Sequence, residues 1–252
     1  MTELLRVDHL SKQYPGFTLQ DISFSVKPGR IMGLIGKNGA GKSTTLKSIL
    51  NMVRPESGTV TMLGKDFYEN EKECKQDIGV VFGGIDFYPL KKLSAITAVT
   101  RRFYKDWDQE RYNDYLRQFS LDENKQFRSL SNGMKVKYLL ALALSHHATL
   151  YLLDEPTSGL DPVSRDEILH IFTRIVKDGK RSVLFSTHIT SDLDRCADDI
   201  TYIQNGKVLQ SADKDTFLHS FEHLKTTEDT SPLTLEEIML RTEGRTLDET
   251  AL

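Results

Sequence analysis

An α/β fold built on a mainly parallel sheet, with an N-terminal antiparallel β subdomain and an inserted helical subdomain, is predicted for this chain of 252 residues on three observations. An apolar strand at 31–35 runs into a glycine-rich loop and then a helical pattern through Leu46, Ile49 and Leu50, the opening of a parallel α/β unit. Apolar strand segments return at 150–153, 182–186 and 200–204, alternating with helical segments at 163–177 and 190–195. Between the two blocks, residues 88–145 keep a helical period.

The first strands are predicted at 4–9 and 21–26, where Ile22, Phe24 and Val26 alternate, with Pro28-Gly29 as the turn into 31–35. Pro55 and Gly58 close the first helix before a strand at 59–63. In the helical block the clearest pieces are 107–119, with Tyr112, Leu116 and Phe119 on one face, and 134–144. Trp107 and Phe103 are expected to join these aromatics in the core of the lobe. Beyond Phe221 the composition turns polar: 225–232 reads as a linker, and Thr234 with Glu237 fits a capping box for a short helix carrying Leu235, Ile238 and Met239. The expected division is one domain over 1–220, its helical subdomain at about 88–145, then a polar linker and short helix over 221–252.

Composition narrows the function. With 33 Lys plus Arg against 36 Asp plus Glu the net charge is -3, so the basic excess that drives nucleic-acid binding is missing and no nucleic-acid partner is expected. Two cysteines, Cys74 and Cys196, build no disulfide framework, and the first ten residues lack the apolar core of a signal peptide, which points to reducing cytoplasm. The longest apolar run, 138–144, is far below the ~20 residues that cross a bilayer, so any work at a membrane needs a partner. His146-His147 is read as a solvated helix end rather than a metal site, because adjacent residues do not share a helix face.

Gly36-Lys37-Asn38-Gly39-Ala40-Gly41-Lys42-Ser43 satisfies G-x-x-x-x-G-K-[ST], with a strand before it and a helix after it. Glycines let backbone N–H groups converge on a β-phosphate, Lys42 brings a point charge to the β/γ oxygens, and the Ser43 hydroxyl suits Mg²⁺. Gly36, Asn38, Gly39, Ala40, Gly41, Lys42, Ser43 and Thr44 are therefore the predicted phosphate set for ATP. Downstream, the apolar segment 151–153 ends in Asp154-Glu155, so Asp154 can hold the Mg²⁺ shell while Glu155 orients or deprotonates the attacking water. At Leu130-Ser131-Asn132-Gly133-Met134 a polar turn opens a helix with Ser131 as its N-cap, a second anion site. Ser158-Gly159-Leu160-Asp161 and Thr187-His188 complete the set.

With these five ordered motifs the chain resembles the nucleotide-binding subunit of an ABC transporter over residues 4–218. The resemblance implies a P-loop ATPase core and a head-to-tail dimer, with itself or with a related subunit, that sandwiches two ATP molecules between the P-loop of one copy and Ser131/Gly133 of the other. Asp161 falls in the D-loop, Glu155 at the general-base position and His188 at the γ-phosphate-sensing position; Tyr14 falls where an aromatic stacks on adenine, and Phe17 could do this instead. It further implies an integral membrane permease as partner and a peripheral place on the inner face of the cell membrane, with export expected from the form of Leu130–Met134. Two departures stand out: Gly83-Gly84 replace the usual glutamine, and Asn132 and Met134 replace two signature residues. The competing readings are a soluble ATPase of the same type without a permease and a non-hydrolysing ATP sensor.

Overall fold

The structure is a computed structural model that describes residues 3–82, 88–226 and 231–244. The chain opens with the hairpin β1 (Leu5–Tyr14) and β2 (Phe17–Val26), crosses to β3 (Ile31–Ile35) and α1 (Lys42–Ile49), and returns through β4 (Ser57–Met62) and β5 (Lys65–Asp66). Antiparallel pairing gives a four-stranded sheet of order β2-β1-β4-β5. After the single turn α2 (Glu71–Cys74), β6 (Ile78–Phe82) leads into the helical lobe α3 (Leu93–Thr100), α4 (Gln109–Gln118) and α5 (Asn132–Leu144). The rest of the chain is β7 (Leu150–Asp154), α6 (Pro162–Val176), β8 (Ser182–Thr187), α7 (Thr190–Cys196), β9 (Asp199–Gln204), β10 (Lys207–Asp213), α8 (Lys214–Ser220) and α9 (Leu235–Glu243).

The second sheet has the order β10-β9-β3-β8-β7-β6, and every neighbouring pair is parallel except β10 with β9. Strands β3, β7 and β8 are buried at every position, because α5, α6 and α7 cover one face and α1 with the antiparallel sheet covers the other; this is why they read as unbroken apolar runs. Register brings Ile35 beside Thr187, and Asp154 beside both Ser186 and Phe82. The loops after β3, β7 and β8 therefore leave from one carboxyl edge, where ligands bind in open α/β sheets.

Both hairpin strands run longer than the alternation predicts. His9 and Asp21 take left-handed backbone (φ 53° and 56°), and the β1/β2 register shifts between Val7 and Lys12, so the period of two breaks well before each strand ends. In the lobe, α4 begins at an Asp108 cap that accepts from the Arg111 backbone N–H at 2.9 Å. Its core is stitched by Thr97, whose hydroxyl lies 2.7 Å from Tyr112 Oη and 3.0 Å from Tyr138 Oη, while Tyr138 donates to the Leu93 carbonyl. Two expectations fail here. Phe103 is 70% exposed and no part of the lobe core, whereas Trp107, half-buried with its indole N–H bonded to Gln109 at 3.0 Å, packs against that core with its ring 5.4 Å from that of Tyr112. His146 is no solvated residue either: the left-handed turn at His147 folds the ring under Tyr104, stacked at 3.7 Å between centroids and buried.

The C-terminal helix carries the capping box read from the sequence, with Thr234 and Glu237 satisfying each other's backbone N–H. Leu235 and Ile238 are buried against the main core and Leu240 faces outward.

Candidate active site

The loop after β3 closes through a bond from the Ala40 N–H to the Lys37 carbonyl, and Gly41 caps α1 in left-handed backbone. Two glycines are required, Gly36 by lack of space and Gly41 by its left-handed backbone at φ 116°. A Cβ on Gly36 would sit 2.2 Å from the Ile203 carbonyl oxygen, and one on Gly41 would meet the Leu19 side chain at 2.8 Å and the Phe17 ring at 3.1 Å. No acidic residue occupies the first turn of α1, so the positive end of that helix is available to an anion. Lys42 is buried, and its ammonium donates to the Gly36 carbonyl at 2.7 Å and the Lys37 carbonyl at 3.1 Å.

Across the cleft, Ser43 Oγ donates to Asp154 Oδ1 at 2.9 Å and Ser186 Oγ donates to the same oxygen at 2.6 Å. Ser186 Oγ also accepts from the Glu155 N–H at 2.9 Å, so one hydroxyl fixes both acids of the pair. Glu155 has φ 50°, which aims its carboxylate back over the phosphate loop. Its Oε1 lies 3.3 Å from Lys42 Nζ and its Oε2 lies 2.8 Å from His188 Nδ1. Groups from three separate loops, spanning residues 42 to 188, are thus joined in one polar chain.

The cleft around them has a volume of about 650 Å³ and is lined in part by Asn38, Gly39, Gly41, Lys42, Ser43, Thr44, Glu155 and His188. Gly36 and Ala40 lie behind it: the Ala40 carbonyl accepts from the Gly206 N–H at 2.9 Å. Of the two candidate aromatics, Phe17 lines the cleft and Tyr14 does not; Tyr14 is partly exposed with the Lys12 ammonium 5.7 Å over its ring. Ser131, Gly133 and Asp161 stand outside it. Ser131 caps α5, accepting from the Met134 N–H at 3.3 Å, and is exposed on the surface. Gly133 is buried where α5 meets α6, and a Cβ there would touch Ser164 Oγ at 2.9 Å. Asp161 caps α6, and its bonds from Ser164 and the Val163 N–H hold its carboxyl below the ordinary range. Gly83 and Gly84, which stand in place of the expected glutamine, lie outside the described residues, as does Phe87.

Sequence reasoning missed Ser186 and Asp192. Asp192, on α7, is fully buried, accepts from Thr157 Oγ1 at 2.7 Å and Thr187 Oγ1 at 3.5 Å, and is ion-paired with Arg165. It therefore ties the loop after Glu155 to the loop before His188. No short motif surrounds it, and two of its partners, Thr157 and Arg165, are far away in sequence.

Residues 19–158 match the family profile described as ABC transporter. The chain is 29% identical over 228 residues to the ABC transporter ATP-binding protein YtrB of Bacillus subtilis, covering 90% of this chain and 78% of that protein. It is also 29% identical over 228 residues to the bacitracin transport ATP-binding protein BcrA of Bacillus licheniformis, covering 89% and 72% respectively. Among solved structures, an ATP-binding subunit of an ABC transporter superposes with a TM-score of 0.82 at 27% identity, covering 95% of this chain and 99% of that one. Antiparallel and parallel sheets in this order, a phosphate loop facing an acid pair, and these relatives together show that the chain belongs to the ABC transporter family as an ATP-binding, ATP-hydrolysing subunit serving transport.

Proposed function

We propose that Glu155 is the general base of ATP hydrolysis, that His188 holds it in place, and that hydrolysis drives export through a separate membrane permease. The observation that carries this is the chain Lys42–Glu155–His188, with contacts of 3.3 and 2.8 Å within one cleft. Lys42 sits where its ammonium can exchange the Gly36 and Lys37 carbonyls for phosphate oxygens, and Glu155 then loses its cationic neighbour and is free to accept a water proton. The His188 Nδ1 bond at 2.8 Å fixes the orientation of that carboxylate.

The donor set suits Mg²⁺: a serine hydroxyl and a buried carboxylate, all oxygen, meet at 2.9 Å beside the phosphate loop. Held by Ser43 with Asp154 behind it, Mg²⁺ would offset charge on the β and γ oxygens.

An exposed Ser131 at an outward-facing helix N-terminus supports the head-to-tail dimer, in which a second copy supplies Ser131 and Gly133 to close over the γ-phosphate. No helix among the described residues is long and apolar enough to cross a membrane. We place the permease contact on the lobe, where Tyr88 and Leu90 are 63% and 61% exposed beside Lys91 and Lys92, and locate the subunit on the inner face of the cell membrane.

Glu155→Gln tests the reading. Turnover should fall by about 10²–10⁴ while Mg-ATP still binds and the protein accumulates as an ATP-bound dimer, since only the proton acceptor is removed. Turnover near wild type would sink the assignment, and a wild-type chain that binds ATP without turnover would make it a sensor.

A further inference from the structure

The last turn of α9 is docked on the phosphate loop. Lys37 Nζ lies 3.2 Å from Glu243 Oε2 and also donates to the Glu243 carbonyl at 3.4 Å. The other carboxylate oxygen accepts from Tyr202 Oη at 3.0 Å, and the Thr242 carbonyl accepts from Gln204 Nε2 at 3.3 Å. Glu243 is nearly buried, with 11% of its side chain exposed, and Tyr202 is fully buried. Burial and the neighbouring carboxylate both push the Tyr202 phenol up, so it stays a proton donor to Glu243 across the working pH range.

Both anchor residues, Tyr202 and Gln204, stand on β9, and β9 is the wall behind the loop. Its Ile203 carbonyl presses on Gly36, and the Gly206 N–H that follows it holds the Ala40 carbonyl. Lys37 lies between these two points, and its own carbonyl carries the Lys42 ammonium at 3.1 Å. A carboxylate that grips the Lys37 ammonium on one side and β9 on the other tethers the entry of the loop to that strand. A bare carboxylate beside a triphosphate site would repel the ligand, and the Lys37 charge and the Tyr202 hydroxyl offset it.

We propose that Glu243 is a positioning residue for ATP binding, holding the phosphate loop preorganised through Lys37, so that the C-terminal helix is part of the nucleotide site. The inference rests on the reading of that loop as the ATP site. Preorganisation lowers the ordering cost of binding, so its loss shows in affinity rather than in the chemical step.

The test compares Glu243→Ala, Lys37→Ala and the double variant in the full-length chain, measuring Kd for Mg-ATP by calorimetry, KM and kcat by phosphate release, and the unfolding midpoint. Glu243→Ala should raise Kd by about three- to tenfold, the span of one charge-assisted contact, and raise KM in step while kcat changes less. The double variant should be weakened by less than the two single effects combined, since both substitutions break the shared Lys37–Glu243 ion pair, while each also removes a contact of its own. A Kd within twofold of wild type overturns the proposal, and so does a lower unfolding midpoint with unchanged Kd, which would make the contact structural only. A wild-type chain that fails to bind Mg-ATP would instead refute the underlying reading of the loop, with wild type and variants alike.

Discussion

Replacing Asp192 with alanine removes one carboxylate and strands three partners. The side chain is fully buried; it pairs with Arg165 and accepts from Thr157 and Thr187. Removing one member of a buried ion pair costs roughly 3–5 kcal/mol, because the other charge is left without compensation. Arg165 softens this: 23% of its side chain is exposed and it keeps a bond to Ser191 Oγ at 2.6 Å, so the lower end, about 3 kcal/mol, applies. The Thr157 hydroxyl, 1% exposed, keeps no such outlet and adds about 1 kcal/mol. At roughly 2–4 °C per kcal/mol for a chain of this size, the total of about 4 kcal/mol lowers the unfolding midpoint by about 8–16 °C. Turnover should fall further than ATP affinity, since the carboxylate links the loops carrying Glu155 and His188. Scanning calorimetry with steady-state phosphate release checks both; a midpoint within about 2 °C of wild type, with wild-type turnover, would refute the network argument.

Three further outcomes follow from the same geometry. Lys42→Ala should abolish the ATP-induced rise in unfolding midpoint, because a ligand that no longer binds contributes nothing through mass action; a retained shift in a thermal assay would show that another group carries the phosphate. His146 supplies a pH dependence: burial holds its imidazole down to about 4, against 6.5 unfolded, so the unfolded chain binds the extra proton between those values. Stability is then full above about pH 6.5 and declines toward pH 4, by up to about 3 kcal/mol from this group, and His146→Phe should flatten that part of a denaturant-midpoint profile. Replacing Tyr88 and Leu90 with serine should leave the unfolding midpoint within about 2 °C, since both are well exposed, while copurification with a co-expressed permease is lost; unaltered copurification would move the docking site elsewhere.

What could be read from the sequence is what short-range chemistry dictates. A triphosphate demands glycines, a lysine and a hydroxyl within eight positions, and β7 announces its acids because both faces of that strand are covered. Thr187-His188 was legible for the same reason, at the end of the buried β8. Positions set by contacts across the chain were not. The choice between Tyr14 and Phe17 depends on where the hairpin turn leans, and the left-handed kinks at His9 and Asp21 that direct it leave no periodic trace. Asp192 reads as an ordinary acid on a short helix until Thr157 and Arg165, 35 and 27 residues away, are brought against it. His146 reads as solvated because the turn that buries it comes one residue later, and Glu243 has no neighbour in sequence that would point to Lys37, 206 positions before it.

The left-handed backbone at Glu155 carries a consequence for any attempt to improve the protein. For a residue with a side chain, φ 50° costs of order 1–3 kcal/mol, and only glycine takes it up freely. Glycine at 155 would thus relax the backbone and, on the proposed reading, delete the proton acceptor in the same step, while also removing the carboxylate that faces the buried Lys42. A search that scores heat resistance alone would keep that substitution wherever the backbone relief outweighs the lost Lys42 and His188 contacts, and would not register a loss of turnover. The position is one where durability and turnover pull against each other, and a screen for the first must carry an assay for the second.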